Sequence, residues 1–395
     1  METLRPMVPR VEIEARIGVF QEALRSAGFG GALVVQDVDV FYLSGTAQSA
    51  HLVVPADGEP VLFVRKTLSR AREESPLERV EPLRSLHELS AALGSCGLER
   101  GRLGLELDVV PAALYLQYVH RLDSFELDDC SQILRRIRAR KSAWELEQIR
   151  RAAAMLSYVD RWVADTLREG MTEIELAAEL ERLLRREGHQ GLIRFRGFNQ
   201  DIFYGSVLAG PSAAVPGATE TPIVGPGPNV AVSKGASPRP IGRGEPLIID
   251  FCGAWEGYLA DQTRTFSLGR LDPKFREAYE AARGILHRVA AEARATIPPS
   301  ALYERAVELA DERDGFMGLG EERVSFVGHG FGLEIDELPV LMPGSDEPLL
   351  DGMVFALEPK FLFPGEGAVG IENSYAVTAD GVEQLTSAPE ELIEL

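Results

Sequence analysis

Asp250, Asp261, His329, Glu358 and Glu372 stand at fixed intervals in the last third of the chain. Four carboxylates and one imidazole can hold two divalent ions with a water between them, which points to a metallohydrolase. The spacing carries the argument. Asp250 ends the apolar run Pro246-Leu247-Ile248-Ile249, and Asp261 lies eleven positions on in Tyr258-Leu259-Ala260-Asp261-Gln262-Thr263-Arg264-Thr265-Phe266, with Gly253 and Gly257 between them. This pattern predicts a β-hairpin. Its two strands bring both carboxylates to one place, where neither stays ionised beside the other unless cations compensate them. Glu358 and Glu372 repeat the device: Leu357-Glu358-Pro359 closes a strand from Met353, and Gly370-Ile371-Glu372-Asn373 opens the return strand after Pro364-Gly365-Glu366-Gly367.

Taken singly, these residues have ordinary structural explanations. An Asp after a strand is commonly a turn residue, and a lone His in a Gly-rich segment commonly satisfies a backbone group. Together, and in their local sequences, they resemble the pita-bread metallopeptidases (peptidase family M24), which include prolidase, Xaa-Pro aminopeptidase and methionine aminopeptidase. The segments that carry the resemblance are Ile249-Asp250-Phe251, Asp261-Gln262-Thr263-Arg264-Thr265, Gly328-His329-Gly330-Phe331-Gly332-Leu333-Glu334, Leu357-Glu358-Pro359 and Gly370-Ile371-Glu372-Asn373. The resemblance implies that Asp261 and Glu372 bridge two ions, that Asp250 completes one site, and that His329 with Glu358 completes the other. It further implies hydrolysis of an amide near a substrate amino end. A water bridging the two cations loses its proton near neutral pH and attacks the carbonyl, and Glu358 passes that proton to the leaving nitrogen. Oxygen-rich ligation with one imidazole suits Mn, Co, Fe or Zn.

Two positions depart from the family pattern. The peptidases carry a second His seven residues after the metal His; here His329-Gly330-Phe331-Gly332-Leu333-Glu334-Ile335-Asp336-Glu337-Leu338-Pro339 has Asp336 there. A further upstream His is replaced by Ser233 in Gly227-Pro228-Asn229-Val230-Ala231-Val232-Ser233-Lys234-Gly235-Ala236-Ser237, and no His lies between His189 and His287. In the peptidases these imidazoles contact the substrate and donate hydrogen bonds where oxyanion charge develops. An ionised Asp336 only accepts, so it disfavours a carboxylate and favours a cationic or amine group, unless it simply caps a turn.

A formal net charge of −20 across 395 residues argues against nucleic acid. Cys96, Cys130 and Cys252 are odd in number and widely spaced, as expected of reduced thiols in a cytoplasm. Cys252 reads as core packing. Met1 to Phe20 carries no apolar h-region and no run of about 18 apolar residues occurs, so neither secretion nor membrane binding is expected. No nucleotide-binding glycine motif and no HExxH is present. The expected partner is a small peptide or small-molecule substrate, in a homodimer.

The expected fold is a two-domain α/β chain, with a small creatinase/prolidase-like N-terminal α/β domain over 1–138 and a pita-bread α+β catalytic domain over 139–395. The first is expected to hold a helix over Glu12–Ala27, a strand over Ala32–Val35, a hairpin around Ala56-Asp57-Gly58-Glu59, a helix over Leu86–Cys96 and a strand over Leu103–Leu107. Val38-Asp39-Val40-Phe41-Tyr42-Leu43-Ser44-Gly45 resembles the same N-terminal domain. The basic stretch Arg135–Lys141 reads as a solvated hinge. Ser142-Ala143-Trp144-Glu145 is a capping box predicting one helix to about Arg168, and Thr172-Glu173-Ile174-Glu175 starts another to Arg186. Helices over Pro273–Thr296 and Pro299–Arg313 follow. The Gly/Pro-rich stretch Ala209–Gly244 reads as a lid or specificity loop. Three function classes stay open: an Xaa-Pro dipeptidase or aminopeptidase, a metal-dependent hydrolase or lyase of a small non-peptide compound, and a non-catalytic binding protein.

Overall fold

Short runs rich in Val, Leu and Ile, punctuated by Gly and Pro, become the strands of two separately packed units in the computed structural model. The structure describes residues 8–311 and 313–395. The expectation for Met1–Phe20 thus falls in part, at residues 1–7, outside the described residues. One unit spans Met1–Arg138 and the other Ala139–Leu395.

The first unit holds strands β1 (Gly31–Val34), β2 (Ala50–Pro55), β3 (Val61–Val64), β4 (Arg79–Pro82), β5 (Gly101–Leu105) and β6 (Phe125–Asp129). They form one mixed sheet in the order β4-β3-β2-β1-β5-β6. Leu33, Val53, Val61, Phe63, Leu103 and Leu105 pack against Leu89, Leu93 and Tyr118 from the helices. The expected first helix runs Arg10–Ser26, and the hairpin joins β2 to β3. The segment Leu86–Cys96 begins with a 3₁₀ turn, Leu86–Glu88, before the helix Leu89–Ser95. Arg138 is not in a solvated hinge. It is buried, and its guanidinium lies 2.7 Å from the buried Asp39 carboxylate.

In the second unit the capping box forms as expected, with Ser142 Oγ accepting from Glu145 N and Glu145 capping Ser142 N. The helix stops at Leu156 and a second begins at Val159, where one helix to Arg168 was expected. Ser157 explains the break, because its hydroxyl donates to the Ala154 carbonyl at 2.7 Å and competes with the helical ladder. Helices Glu173–Arg186, Pro273–Glu292 and Pro299–Ala310 follow. Lys141, at the end of the basic stretch, is buried against Glu337 at 2.7 Å.

The strands of this unit are β7 (Gly205–Ala209), β8 (Leu247–Trp255), β9 (Tyr258–Ser267), β10 (Gly328–Gly330), β11 (Glu337–Leu341), β12 (Val354–Leu357), β13 (Lys360–Phe363), β14 (Gly367–Gly370), β15 (Asn373–Val377), β16 (Val382–Gln384) and β17 (Ile393–Glu394). One sheet runs β17-β9-β8-β7, another β11-β10-β12-β15-β16, and β13-β14 is a separate hairpin. A core of Phe275, Tyr279, Leu286, Phe355, Leu357 and Val369 lies under the second sheet and its helices. Between Ala209 and Pro246 there is a 3₁₀ turn, Gly210–Ala214, but no further strand or helix. Buried Glu173 ties that stretch down by accepting from Ala209 N, Ser237 N and Ser237 Oγ.

Gly253, in β8, faces the helix Ala143–Leu156 so closely that a Cβ would lie 2.1 Å from the Ala152 carbonyl oxygen. Neither backbone can retreat without breaking its ladder. Gly253→Ala is therefore expected to cost about 1–3 kcal/mol of stability, from overpacking, read as a lowered urea midpoint with unchanged slope.

Candidate metal centre

The β8-β9 hairpin turns through Glu256 and Gly257, with φ of 48° and 92°, the two-residue geometry that matches strand twist. Its register pairs Asp250 with Thr263 and Cys252 with Asp261. All four side chains therefore share one face. The strand stays regular through Gly253, so the Cys252 thiol lies beside the carboxylates. It is buried, and burial first, then Asp261, Asp250 and Glu372, pushes its pKa up. A thiol so placed is not a nucleophile.

Glu358 and Glu372 sit where the second hairpin changes sheets. The β12-β15 ladder ends at the pair Leu357–Asn373, and the β13-β14 ladder ends at Lys360–Gly370. The two carboxylates occupy the interval. Their backbones are held from outside the hairpin: Glu358 N donates to Val327 O at 2.9 Å and Glu372 N to Thr263 O at 3.1 Å. Ser374 Oγ bonds both Asp261 N and Asp261 O at 2.9 Å. Arg264, 1 % exposed, donates to the Glu372 carbonyl at 2.7 Å and to Asn373 Oδ1 at 2.8 Å.

These ties bring all five expected ligands together. His329, on β10, has Asp261 Oδ2, Glu358 Oε1 and Glu372 Oε1 at 3.9, 3.7 and 3.8 Å from its Nε2. Those separations exceed a hydrogen bond and match two ligands sharing one ion through bonds of about 2.1 Å, which stand roughly 3–4 Å apart. The other ring nitrogen, Nδ1, faces the Gly330 carbonyl at 3.2 Å. A carbonyl only accepts, so Nδ1 carries a proton, and Nε2 is the ring nitrogen turned toward the carboxylates. Glu372 Oε1 is buried without any hydrogen-bond partner. An unsatisfied buried carboxylate oxygen facing an imidazole nitrogen and two further carboxylates suits a cation. Asp261, His329 and Glu372 fit one divalent ion.

Asp250, Glu358 and Glu372 form a second group with metal-ligand spacing, but it already holds a cation. Lys360 Nζ lies 2.5 Å from Glu358 Oε2, 3.1 Å from Glu372 Oε2 and 3.4 Å from Asp250 Oδ2. This end does not fit an ion while the ammonium is there. Burial alone depresses an ammonium's pKa; Glu358, Glu372 and Asp250 outweigh it and push that of Lys360 well up. Burial, then Glu372 and Asp250, pushes Asp261 well up; Asp250 is raised by burial, with Lys360 opposing.

Sequence reasoning missed Lys360, Thr263 and Arg264 as parts of the centre. Thr263 Oγ1 donates to Glu372 Oε2 at 2.6 Å. Asp336 is half-buried, and its Oδ1 accepts from Arg196 N at 2.9 Å. Ser233 is exposed in the loop after β7. A groove between residues 214–224 and 318–326 borders the centre through Phe326, whose ring stands edge-on to His329 with centroids 6.4 Å apart.

The fold and the acidic centre define a peptidase-type hydrolase. The chain belongs to metallopeptidase family M24, whose profile matches residues 147–379, preceded by a creatinase/prolidase N-terminal domain matched over residues 16–140. The architecture is thus the expected one, a creatinase-type α/β domain followed by an M24 catalytic domain. The probable dipeptidase PepE of Mycobacterium tuberculosis is 28% identical over 392 residues, covering 96% of this chain and 95% of that protein. The Xaa-Pro dipeptidase of Pyrococcus furiosus is 25% identical over 364 residues, covering 91% and 94%. In fold, the solved Xaa-Pro dipeptidase from Bacillus anthracis superposes with a TM-score of 0.82 at 24% identity, covering 97% of this chain and all of that one.

His189 links this centre to pH. Its Nε2 faces the Cys252 carbonyl at 3.1 Å and its Nδ1 accepts from Gly191 N at 3.0 Å, a pattern only the neutral ring can make. Burial, opposed by that carbonyl and assisted by Arg185, lowers its pKa from 6.5 to about 4. The unfolded chain takes the proton first, so the stabilisation is complete above pH 6.5 and is lost as pH falls through 4, about 3 kcal/mol in all. Asp250 and Asp261, with raised pKa values, act in the opposite sense. The comparison that isolates His189 is the urea midpoint at pH 7 and pH 4.5 for wild type and His189→Gln, where the variant should lose less on acidification.

Proposed function

We propose that residues 139–395 hydrolyse the amide next to the amino end of a small peptide, of the Xaa-Pro dipeptidase or aminopeptidase class, with a divalent ion at Asp261, His329 and Glu372. The observation that carries this reading is the gap around His329 Nε2, with three carboxylate oxygens at 3.7–3.9 Å and the unpartnered Glu372 Oε1. Mn, Co, Fe and Zn all suit the donor set. When bound, the ion supplies Lewis acidity toward a carbonyl and an activated water. Glu358 turns Oε1 toward His329 while Lys360 holds Oε2, which orients the carboxylate to take a proton on the open side and return it to the leaving nitrogen. The groove beside Phe326 supplies room for the peptide. The names of the M. tuberculosis and P. furiosus relatives support the dipeptide class. Cytoplasmic residence belongs to the proposal, supported by three free cysteines, and so does a homodimer, on the family resemblance alone. No helix among the described residues is long and apolar enough to cross a membrane.

A second reading, a hydrolase or lyase of a small non-peptide compound on the same centre, is favoured by the substrate positions. Asp336 and Ser233 present no ring N–H, and Asp336 already bonds the Arg196 backbone.

Exhaustive chelation should abolish turnover, and Mn or Co should restore it. Asp261→Ala removes a carboxylate from the ion, so kcat should fall on the order of 10³ or more, with metal content lost and circular dichroism unchanged; substantial activity in the metal-free variant would place the chemistry elsewhere. The substrate class is read from Xaa-Pro dipeptides run beside small amides and betaines. Asp336→His should raise kcat/KM for Xaa-Pro peptides relative to the other compounds about tenfold, and equal ratios across that panel would leave Asp336 with its backbone role only.

A further inference from the structure

Lys360 has a side chain that no turn, cap or surface ion pair explains. It begins the apolar strand Lys360-Phe361-Leu362-Phe363, is 0 % exposed, and points its ammonium into the carboxylate cluster. Its stem lies against the cross-strand Gly370, where a Cβ would stand 2.5 Å from Lys360 Cγ, and its backbone is held by Lys360 O accepting from Met317 N at 2.9 Å. The three carboxylates it touches, Asp250, Glu358 and Glu372, are also the three whose oxygens converge with metal-ligand spacing at this end of the centre. An ion bonded to those oxygens at about 2.1 Å would occupy the volume that Nζ fills.

We propose that Lys360 is the second cation of this centre, its ammonium standing where a second divalent ion would bind, so that the enzyme takes up one divalent ion only, at Asp261, His329 and Glu372. The inference rests on the metal-dependent hydrolase reading and fixes its stoichiometry. The net charge alone does not decide between one ion and two; the placement does, because a second ion would sit against the ammonium inside the same three ligands, a repulsion that burial strengthens.

The experiment counts ions. Metal-stripped protein is loaded with Mn(II), and bound metal is measured by titration calorimetry and by elemental analysis after gel filtration, with the electron paramagnetic resonance spectrum taken in parallel. Wild type should bind one equivalent with the six-line spectrum of an isolated Mn(II), any second equivalent being at least about 100-fold weaker. Lys360→Ala, which removes both the charge and the bulk, should bind two equivalents and give an exchange-coupled spectrum. Two comparable sites with a coupled spectrum in wild type would overturn the inference and leave the hydrolase reading standing. No bound ion in wild type would overturn both. A folded Lys360→Ala that still binds one equivalent would overturn the role of the ammonium. If that variant does not fold, wild-type stoichiometry and spectrum decide alone.

Discussion

Four carboxylate side chains converge on one small volume of the second unit, and three of them are almost fully buried. Taking an ionised carboxylate out of water costs several kcal/mol even after relaxation, and like charges beside it add to that cost. Much of the surrounding structure answers this one constraint. Lys360 contributes a positive charge from inside the cluster, and Thr263 a hydroxyl donor. Arg264 donates to the carbonyl of Glu372 and so holds that residue's backbone while leaving its carboxylate to the centre. The charge that remains uncompensated is concentrated at the His329 end, where the gaps are.

Two hairpins meet at this point, and they are built differently. The β8-β9 hairpin is regular, and its period of two puts Asp250 and Asp261 on one face without any special device. The second hairpin is interrupted at the residues that matter: its ladder stops at Leu357–Asn373 and resumes at Lys360–Gly370. An interrupted ladder leaves backbone donors that must find other partners, and they find them in the first hairpin and in Val327. The break thus does two things at once. It leaves Glu358 and Glu372 outside either ladder, and it welds the second hairpin to β9 through Thr263, Arg264 and Ser374.

The five acidic and imidazole positions, and the hairpins that join them, were legible because turn residues and strand periodicity are local signals. Lys360 was not, although one signal was there: it lies two residues beyond Glu358, and alternation along an extended chain puts positions i and i+2 on one face. What hid it is that a lysine at the start of an apolar strand is ordinarily a solvated edge residue, and nothing local says that three carboxylates surround it. The same blindness affected Arg138 and Lys141. A run of basic residues reads as a solvated surface, and only the tertiary partners Asp39 and Glu337, 99 and 196 positions away, turn two of them inward. The break at Ser157 was missed for a smaller reason, since a serine within an amphipathic run is tolerated unless its hydroxyl bonds back to the preceding turn.

The ammonium and a metal ion are not equivalent occupants of such a site. An ion exchanges ligands and retains open coordination positions, whereas an ammonium has three donors and nothing else to offer. In Lys360 those three donors face three carboxylates. Its end of the centre is therefore occupied by that side chain. The groups still seeking partners, His329 Nε2 and Glu372 Oε1, all lie at the other end. That is also the end which Phe326 connects to the groove between residues 214–224 and 318–326. A symmetric acidic cluster would present two equivalent faces to solvent and substrate. With a side chain filling one of them, the face left is the one beside His329, next to Phe326 of the groove wall.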